Sequence, residues 1–166
     1  MITFVRVDDR VIHGQTTTRW SKEHPIDGFI VVGDDIVSDS LRSRVLKAAA
    51  GNLKLGIYDE ENAPEKIELA KGSKNNFFLI TNSPQVFARL HQKGVDIGEE
   101  VNVGPMNTRD GAVTVGRTLA IDEKDYEAFD YLHNQGIKVY FQLIPEEEKK
   151  YWPVVKAKYD SLINKR

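Results

Sequence analysis

Short apolar runs and amphipathic segments alternate along most of the chain. The apolar runs are rich in β-branched and aromatic residues, and they predict strands at residues 2–7, 28–33, 55–58, 77–80, 101–104 and 138–144. The segments between them carry helix-start residues and helix-ending glycines, which predict helices. This alternation is typical of an α/β fold, and we expect a single-domain, doubly wound, mostly parallel sheet with helices on both faces.

Residues that are typical of helix starts and helix ends mark the limits of the predicted helices. Helices are predicted at about residues 14–22, from Ser38 or Ser40 to Gly51, from Pro64 to Gly72, from Pro84 to Gly94 and from Asp122 to Gly136. A polar C-terminal helix is predicted at about 146–166, bent or started at Pro153. In the second of these, four apolar residues fall on one face and predict its core-facing side: Leu41, Val45, Ala48 and Ala49. A turn-rich loop at 105–111 precedes a further strand near residues 113–121.

Composition excludes several classes of function. The 166 residues are enough for one domain, which we expect to span residues 1–166. With 40% hydrophobic residues, 29% charged residues and a net charge of -2, the chain has no basic stripe for nucleic acid. It has no cysteine, which excludes disulfides and thiolate chemistry. The apolar runs are too short to span a bilayer and the chain opens on a strand, so we expect a cytoplasmic protein, with membrane partners still open.

The first strand runs into a polar corner that carries Arg10 and His13, and Gly14 there allows a ligand to approach the backbone closely. In an open α/β sheet, ligands bind where the carboxyl end of a strand meets the next helix. The free N–H groups and positive dipole end of that helix favour phosphate. The corner therefore predicts an anion site, and we hypothesise that His13 carries a phosphoryl group.

The chain has four histidines, and their positions separate them. His91 and His133 each lie three residues before a helix-ending glycine, where an imidazole favours the negative end of the helix dipole, so a structural role is favoured. His24 precedes a proline at an element boundary and has no partner nearby in sequence. His13 differs because it stands before a glycine at a strand-to-helix corner. From spacing alone, a surface histidine and a catalytic histidine both fit this position.

Two pairs of aspartates follow strands, and each pair has two interpretations. Asp8 and Asp9 are placed to orient the nearby histidine or arginine, but two carboxylates would also repel a phosphoryl group. A capping or ion-pair role fits them at least as well, and we leave them out of catalysis. Asp34 and Asp35 follow the second strand and would suit a magnesium site, but aspartate is common in turns and helix starts, and that interpretation is favoured.

The segment Arg-Val-Asp-Asp-Arg-Val-Ile-His-Gly-Gln at residues 6–15, followed by Trp20, resembles a known family signature. It is similar to the opening motif of the IIB component of the mannose/fructose/sorbose family of the bacterial sugar phosphotransferase system. Related segments stand at residues 30–35, 102–106 and 140–145, so the resemblance extends from residue 2 to about residue 145.

The resemblance implies a role for each residue of the corner. His13 is expected to accept a phosphoryl group from a phosphohistidine of the IIA component and to transfer it to a sugar, which makes the protein a phosphohistidine sugar phosphotransferase. Arg10 matches the family's active-site arginine. The chain departs from the family pattern at Thr16 and Thr17, where aliphatic residues are common, and at Pro105, where a second glycine is frequent.

The residue types suit this chemistry. A phosphoryl group that moves between two imidazoles passes through a loose transition state, so the protein must chiefly position and stabilise negative charge. Neutral imidazole is a competent nucleophile near pH 7 without a triad. Arg10 offers a fixed fork of donors, and the backbone N–H groups of Gly14, Gln15 and Thr16 would bind phosphate at the start of the helix. We expect transfer without Mg²⁺ or another cofactor.

The resemblance also implies the partners. They are a IIA donor, expected on a separate chain, the IIC and IID components of a membrane permease, and the sugar that this permease imports. The expected location is cytoplasmic, with peripheral association with the permease. Mannose, fructose, sorbose and amino sugars such as N-acetylgalactosamine fit equally well, and a homo-oligomer stays open.

Two other functions fit the same corner. The first is a phospho-ligand or nucleotide-binding module without covalent chemistry, although the chain has no Gly-x-Gly-x-x-Gly or Gly-Lys-Ser/Thr loop. The second is a receiver-like domain that is phosphorylated on aspartate, with Asp34 and Asp35 as its acidic residues. Such a domain would require magnesium.

Overall fold

The computed structural model of the protein describes residues 1–14 and 16–165. Its strands are β1 (Ile2–Val7), β2 (Gly28–Val32), β3 (Lys54–Tyr58), β4 (Phe77–Thr81), β5 (Glu100–Val103), β6 (Val113–Gly116), β7 (Leu119–Ile121), β8 (Lys138–Phe141) and β9 (Lys150–Tyr151). Its α-helices are α1 (Ser21–Glu23), α2 (Asp34–Val37), α3 (Ser40–Ala50), α4 (Ala63–Lys71), α5 (Pro84–Gln92), α6 (Glu123–Asn134) and α7 (Trp152–Asn164). A π-helix (Thr16–Trp20) precedes α1.

A seven-stranded sheet organises the chain in the order β3-β2-β4-β1-β5-β8-β9. All of its neighbouring strands run parallel except β9, which pairs antiparallel with β8. Strand β2 is buried along its whole length, as expected for a strand covered on both faces. The predicted single-domain, doubly wound α/β fold is therefore confirmed.

Strand β1 lies between β4 and β5, and the register brings three strand ends together. Val7, the last residue of β1, pairs with Thr81 of β4 and with Val103 of β5. The loops that follow these strands therefore meet at one edge of the sheet, where ligands bind in folds of this class.

Two apolar clusters sandwich the sheet. One packs α4, α5, α6 and α7 on one face and includes the fully buried Phe87, Phe129 and Trp152. The other lies under α3 and the π-helix and includes Phe4, Trp20 and Phe78. Val11 and Ile12, from the loop after β1, belong to this second cluster. The loop that carries His13 is thus anchored in the core.

The helix predicted at about 14–22 is present in a different form. Its first part is the π-helix, and only Ser21–Glu23 is α-helical. Threonine hydroxyls bond back to the chain here: Thr17 Oγ1 donates to the carbonyls of His13 and Gly14, each at 3.3 Å, and Thr18 Oγ1 donates to Gly14. Such hydroxyls compete for helix carbonyls and distort the helix. A wide helical turn is also a common feature of functional sites.

The predicted buried face of α3 is wrong for Leu41, Val45 and Ala48, whereas Ala49 packs against the second cluster. Leu41 and Val45 are 67% and 58% exposed, whereas Leu46 and Ala50 are buried. Two side chains fix the rotation of the helix: Ser43 Oγ donates to the carbonyl of Ile36 at 3.1 Å, and Arg42 Nη2 donates to the carbonyl of Asp9 at 3.0 Å. These polar contacts turn the Leu41 side of α3 outward.

Two further boundaries differ from the sequence prediction. The strand expected near 113–121 is an antiparallel hairpin, β6–β7, because the chain turns at residues 117–118. The C-terminal helix expected at about 146–166 begins at Trp152, which agrees with the predicted start at Pro153, because Lys150 and Tyr151 pair with β8 as the edge strand β9. No helix among residues 1–14 and 16–165 has the length and apolar character needed to cross a membrane.

Candidate active site

The loop at residues 8–13, here called the His13 loop, leaves the carboxyl end of β1. It begins with a turn in which the Val11 N–H donates to the Asp8 carbonyl at 2.9 Å. Val11 is fully buried and has φ of 61°, a left-handed conformation that is rare for a β-branched residue. Strained residues of this kind persist where packing fixes them and cluster at functional sites. The loop is therefore held in one conformation.

His13 is 7% exposed, and one of its two ring nitrogens has a partner. Nε2 lies 2.7 Å from Asp8 Oδ2, whereas Nδ1 makes no hydrogen bond with the described residues. A carboxylate is an acceptor only, so the hydrogen of a neutral ring belongs on Nε2. Nδ1 then carries the free lone pair.

Asp8 is fully buried and accepts several hydrogen bonds. Its Oδ1 accepts from the backbone N–H of Arg10 at 2.9 Å, and its Oδ2 accepts from Arg6 Nε at 3.1 Å. The same Oδ2 also faces His13. A buried carboxylate that is paired and hydrogen-bonded in this way escapes most of the cost of burial. Asp8 is thus a support for the His13 ring.

Arg6, the next-to-last residue of β1, is also fully buried. Its Nη1 donates to the side chain of Asn102, and Nη2 donates to the carbonyl of Leu143 at 3.2 Å. The guanidinium group lies 5.2 Å from the ring centroid of Trp20, in cation–π contact. Burial lowers the pKa of Arg6, and the charge of Asp8 opposes this effect. Every side of the buried cation therefore has a partner.

Asp9 joins the His13 loop to the loop after β5. Its carboxylate accepts from the backbone N–H of Asn107, and its own N–H donates to the carbonyl of Pro105 at 3.1 Å. Burial raises the pKa of Asp9. Asp9 therefore fixes loops rather than the ring, whereas Asp8, which we left out of catalysis, contacts the ring directly.

The other predicted residues of the corner differ in exposure. Arg10 is exposed, and its guanidinium group has no hydrogen bond or ion pair within the described part of the chain. Gly14 is also exposed. Thr16 is fully buried, and its hydroxyl lies 3.5 Å from the carbonyl of Val11. Only its backbone N–H is therefore left to bind an anion. Gln15 lies outside the described residues.

Comparison with known proteins decides the family. Residues 2–165 match the family described as the PTS system sorbose subfamily IIB component, where PTS is the sugar phosphotransferase system. The chain belongs to this family. It is 31% identical to the sorbose-specific EIIB component of Lacticaseibacillus casei over 166 residues, which cover 99% of each chain. It is 33% identical to the mannose-specific EIIAB component of Escherichia coli K12 over 150 residues, which cover 90% of this chain and 46% of that relative.

The fold agrees with this assignment. The crystal structure of the IIBSor domain of the sorbose permease from Klebsiella pneumoniae superposes with a TM-score of 0.86 at 27% identity, covering 97% of each chain. The resemblance inferred from residues 6–15 is thus confirmed. As a IIB component, the chain is a phosphocarrier and a sugar phosphotransferase of the PTS.

The aspartates after β2 have other contacts in this IIB component. Asp34 and Asp35 lie in the first turn of α2, as the helix-start interpretation predicts. Asp34 Oδ1 accepts from the Glu60 N–H, and Asp35 Oδ2 accepts from Asn82, both at 2.8 Å. Within the described chain, no group of three or more His, Cys, Asp or Glu side chains is arranged to hold a metal ion. The geometry gives no support to a magnesium-dependent receiver site.

Sequence reasoning missed the role of Arg6 and its bond to Asn102, although the segment at residues 102–106 was matched to the family. The signal was present, since Arg6 stands inside the apolar run Phe-Val-Arg-Val and Asn102 inside Val-Asn-Val-Gly. A charged or amide side chain in the middle of a buried strand requires a partner. What the sequence does not contain is the pairing of β1 with β5, which brings Arg6 opposite Asn102.

Proposed function

We propose that this IIB component receives a phosphoryl group on Nδ1 of His13 from a phosphohistidine of a IIA component. It then transfers the group to a sugar that enters through a IIC/IID permease. The observation that supports this proposal is the Asp8–His13 contact, which occupies Nε2 and leaves Nδ1 as the nucleophile. A neutral imidazole needs no further base to attack phosphorus.

Arg10 is proposed to bind the phosphoryl oxygens. The loose transition state of phosphoryl transfer spreads negative charge over three oxygens, and a planar guanidinium group matches two of them at once. Arg10 lies three residues before His13, is exposed, and has its side chain free of other described partners. Its backbone N–H is fixed by Asp8, the residue that also orients the ring.

Backbone N–H groups at the start of the helical segment are proposed to complete the phosphate-binding set. They belong to Gly14, Gln15 and Thr16. The exposure of Gly14 supports its part in this set, since a phosphoryl group can reach the backbone there. The carbonyls of His13 and Gly14 are occupied by threonine hydroxyls, which keeps these acceptors from repelling the anion.

The proposed partners follow from the relay. A IIA donor is supported by the mannose-specific relative, whose EIIAB name joins the two components. The permease and the IIA component would use the surface around His13 in turn, in small and short-lived complexes. Such a protein would act on the cytoplasmic side, bound peripherally to the permease. A homo-oligomer is compatible with this scheme.

Covalent phosphorylation is the test. The purified chain is incubated with phosphoenolpyruvate, the upstream phosphocarrier proteins and a IIA component, and its mass is then measured intact before and after acid treatment. We expect one acid-labile phosphoryl group on the wild type and on His133→Ala, whose histidine is exposed on α6. We expect none on His13→Ala. Labelling of His13→Ala would reject the acceptor, and phosphate binding without a covalent adduct would favour the ligand-binding module.

The ring position is tested on the same sample. ³¹P NMR separates Nδ1-phosphohistidine from Nε2-phosphohistidine by chemical shift. We expect the Nδ1 isomer, because a phosphoryl group on Nε2 would displace the contact with Asp8. The Nε2 isomer on His13 would keep the carrier role but contradict the assignment of the nucleophile.

A further inference from the structure

A fully buried ion pair lies directly beneath the reacting ring. Arg6 Nε and Nη2 each lie 3.1 Å from Asp8 Oδ2, the oxygen that also lies 2.7 Å from His13 Nε2. We infer that this Arg6–Asp8 pair keeps the proton on Nε2 of phosphorylated His13 and thereby makes the ring a good leaving group. The inference rests on the proposed function. It makes Arg6 and Asp8 positioning residues, because both act through the ring.

The first transfer shows why this proton matters. The lone pair on Nδ1 of His13 forms the new P–N bond while the bond from phosphorus to the donor imidazole breaks. The donor ring, which began as a phosphoimidazolium, leaves with the bonding electrons as a neutral imidazole. His13 keeps its Nε2–H and takes up the positive charge. One charge has moved between the rings, and neither ring has lost a proton.

The second transfer uses the same proton. A sugar hydroxyl oxygen attacks phosphorus, the P–N bond to His13 breaks, and the hydroxyl proton passes to a base of the permease or to water. With Nε2–H present, His13 leaves as a neutral imidazole. Without it, His13 would have to leave as an imidazolate anion, which is a far poorer leaving group. A carrier that must release its phosphoryl group therefore benefits from a fixed acceptor at Nε2.

Asp8 is placed to hold this proton because it meets the charged ring with an opposite charge. An opposite charge within about 4–6 Å favours the charged form of a group by roughly 1–3 pH units. Arg6 keeps this charge on Asp8, because a buried carboxylate without a cation nearby tends to bind a proton itself. The two residues thus have separate roles: Asp8 attracts the ring proton, and Arg6 prevents Asp8 from taking it.

The surrounding strands fix the geometry of the pair. Arg6 is held by Asn102 of β5 and by the carbonyls of Gln142 and Leu143 after β8, at 3.3 and 3.2 Å. Trp20 covers its face. These partners are spread over three parts of the chain. Arg6 is therefore positioned by the whole centre of the sheet, and its charge cannot move away from Asp8.

Other charged and titratable groups lie around the His13 loop. They are Asp9 and Arg10 on the loop itself, Arg42 of α3, Arg19 of the π-helix in its ion pair with Glu146, Glu147 after β8, and Tyr140 of β8 near Arg6. All of them are unchanged in the variants described below. Their influence on the ring therefore cancels when a variant is compared with the wild type.

The proton is observed directly by ¹⁵N NMR of imidazole-labelled phosphoprotein. The pH at which phosphorylated His13 loses its Nε2 proton is measured in the folded chain, and again in the same phosphoprotein unfolded in urea. We expect the folded midpoint to be higher by about 1–3 pH units. Equal midpoints, or a lower folded midpoint, would overturn the inference without use of any variant.

Variants assign the effect to the pair. Asp8→Asn removes the charge but leaves Arg6 unpaired, so the double variant Arg6→Met/Asp8→Asn, which buries no lone charge, is measured beside it. We expect the double variant to lower the midpoint by about 1–3 pH units. At pH values above the wild-type midpoint, transfer from the IIB component to its acceptor should fall about tenfold for every pH unit by which the midpoint is lowered.

A partly exposed carboxylate network on the other face of the sheet serves as the control. Asp130 Oδ1 accepts from Trp152 Nε1 at 3.1 Å and from Lys156 Nζ at 2.9 Å, so it too is a carboxylate shared by two donors. Asp130→Asn/Lys156→Met should lose stability with the midpoint of His13 unchanged. A purely structural role for Arg6 and Asp8 would give the same result as this control, and would refute the inference.

The outcomes also separate this inference from the proposed function. If His13 is phosphorylated at Nδ1 but its midpoint is the same in the wild type and in the double variant, the carrier role is retained and the inference is rejected. Phosphorylation at another residue would reject both.

Discussion

Gly104 lies so close to Arg6 that no side chain fits between them: a Cβ at residue 104 would lie 2.6 Å from Arg6 Cζ. The φ of Gly104 is not in the left-handed region, so the backbone itself would accept another residue. The space is taken by the guanidinium group that supports Asp8. Gly104 is therefore part of the site, because it packs against the arginine that lies behind the reacting ring.

Gly104→Ala should therefore lose stability because the buried guanidinium must shift. Overpacking of a filled interior costs about 1–3 kcal/mol, and lost hydrogen bonds of a buried charge add to this. Urea unfolding measures the change. Gly72→Ala is the matched control, since a Cβ there meets only an ordinary contact at 3.8 Å, and it should be neutral or slightly stabilising. Equal stabilities of the two variants would show that Arg6 has room to move.

Arg10 supports a prediction on activity rather than on stability. Because its side chain is exposed and free of described partners, Arg10→Ala should fold as the wild type does. It should accept the phosphoryl group roughly 10²-fold more slowly, since the loss of one donor to a developing oxyanion costs about that much. Arg10→Lys should recover only part of the rate, because an ammonium group lacks the planar fork.

The measurement for Arg10 is the rate of phosphorylation by the IIA component in single turnover. Lys138→Ala is the control. Lys138 is an exposed cation at the start of β8, where the parallel strands begin, and the His13 loop lies where they end. This variant should react at the wild-type rate. If both variants were slowed equally, the effect would come from net charge, and Arg10 would lose its assigned role.

The regular part of the fold could be predicted from the sequence because its signals are local. The run Gly-Phe-Ile-Val-Val is apolar throughout, and it forms the fully buried β2. Ser83 followed by Pro84 begins α5, and the Ser83 side chain accepts from the Gln85 N–H as a cap. A strand or a cap of this kind depends on neighbouring residues, so one sequence is enough to find it.

The supports of the site depend on distant residues and could not be predicted in the same way. Arg6 bonds to residues that are 96 to 137 positions away along the chain. The exposed side of α3 is set by two polar contacts, and the π-helix by threonine hydroxyls, where spacing predicted an ordinary helix. The histidine and arginine were found because a short motif contains both. Arg6 and Asp8 are only two positions apart, but the partners that hold the Arg6 guanidinium group in the interior come from β5 and from the segment after β8.

At Val11 we expect the usual order of stability of a glycine and an alanine replacement to be reversed. At a buried strand position, glycine is less stable than alanine by about 0.5–1 kcal/mol. Val11 has φ of 61°, where alanine is strained by about 1–2 kcal/mol and glycine is not. We therefore expect Val11→Gly to be at least as stable as Val11→Ala, with both less stable than the wild type because a buried side chain is lost.

Urea unfolding of both variants tests this order. The control pair is Val7→Ala and Val7→Gly, since Val7 is equally buried but lies in β1 with ordinary strand geometry. There alanine should be the more stable replacement. If alanine were also the better replacement at residue 11, the result would contradict the left-handed backbone conformation of Val11.

His24 gives a prediction on how stability depends on pH. Its ring is partly buried against the second apolar cluster, which includes Phe4. The ring stacks on Phe4 with centroids 4.8 Å apart, and burial lowers the pKa of His24 below its usual value of 6.5, against the opposing charges of Glu23 and Glu100. A lowered pKa means that the folded state binds the proton less well than the unfolded state does. The stability that neutral His24 contributes is therefore fully present above pH 6.5 and is lost as the pH falls through the lowered value.

The replacement His24→Phe keeps the aromatic stack and removes the titration. Its free energy of unfolding, measured in urea, should be close to that of the wild type at about pH 8 and should exceed it increasingly as the pH is lowered toward about 5. A wild type that gains stability relative to His24→Phe on acidification would mean that the folded chain favours the charged ring, and that burial against Phe4 does not control this histidine.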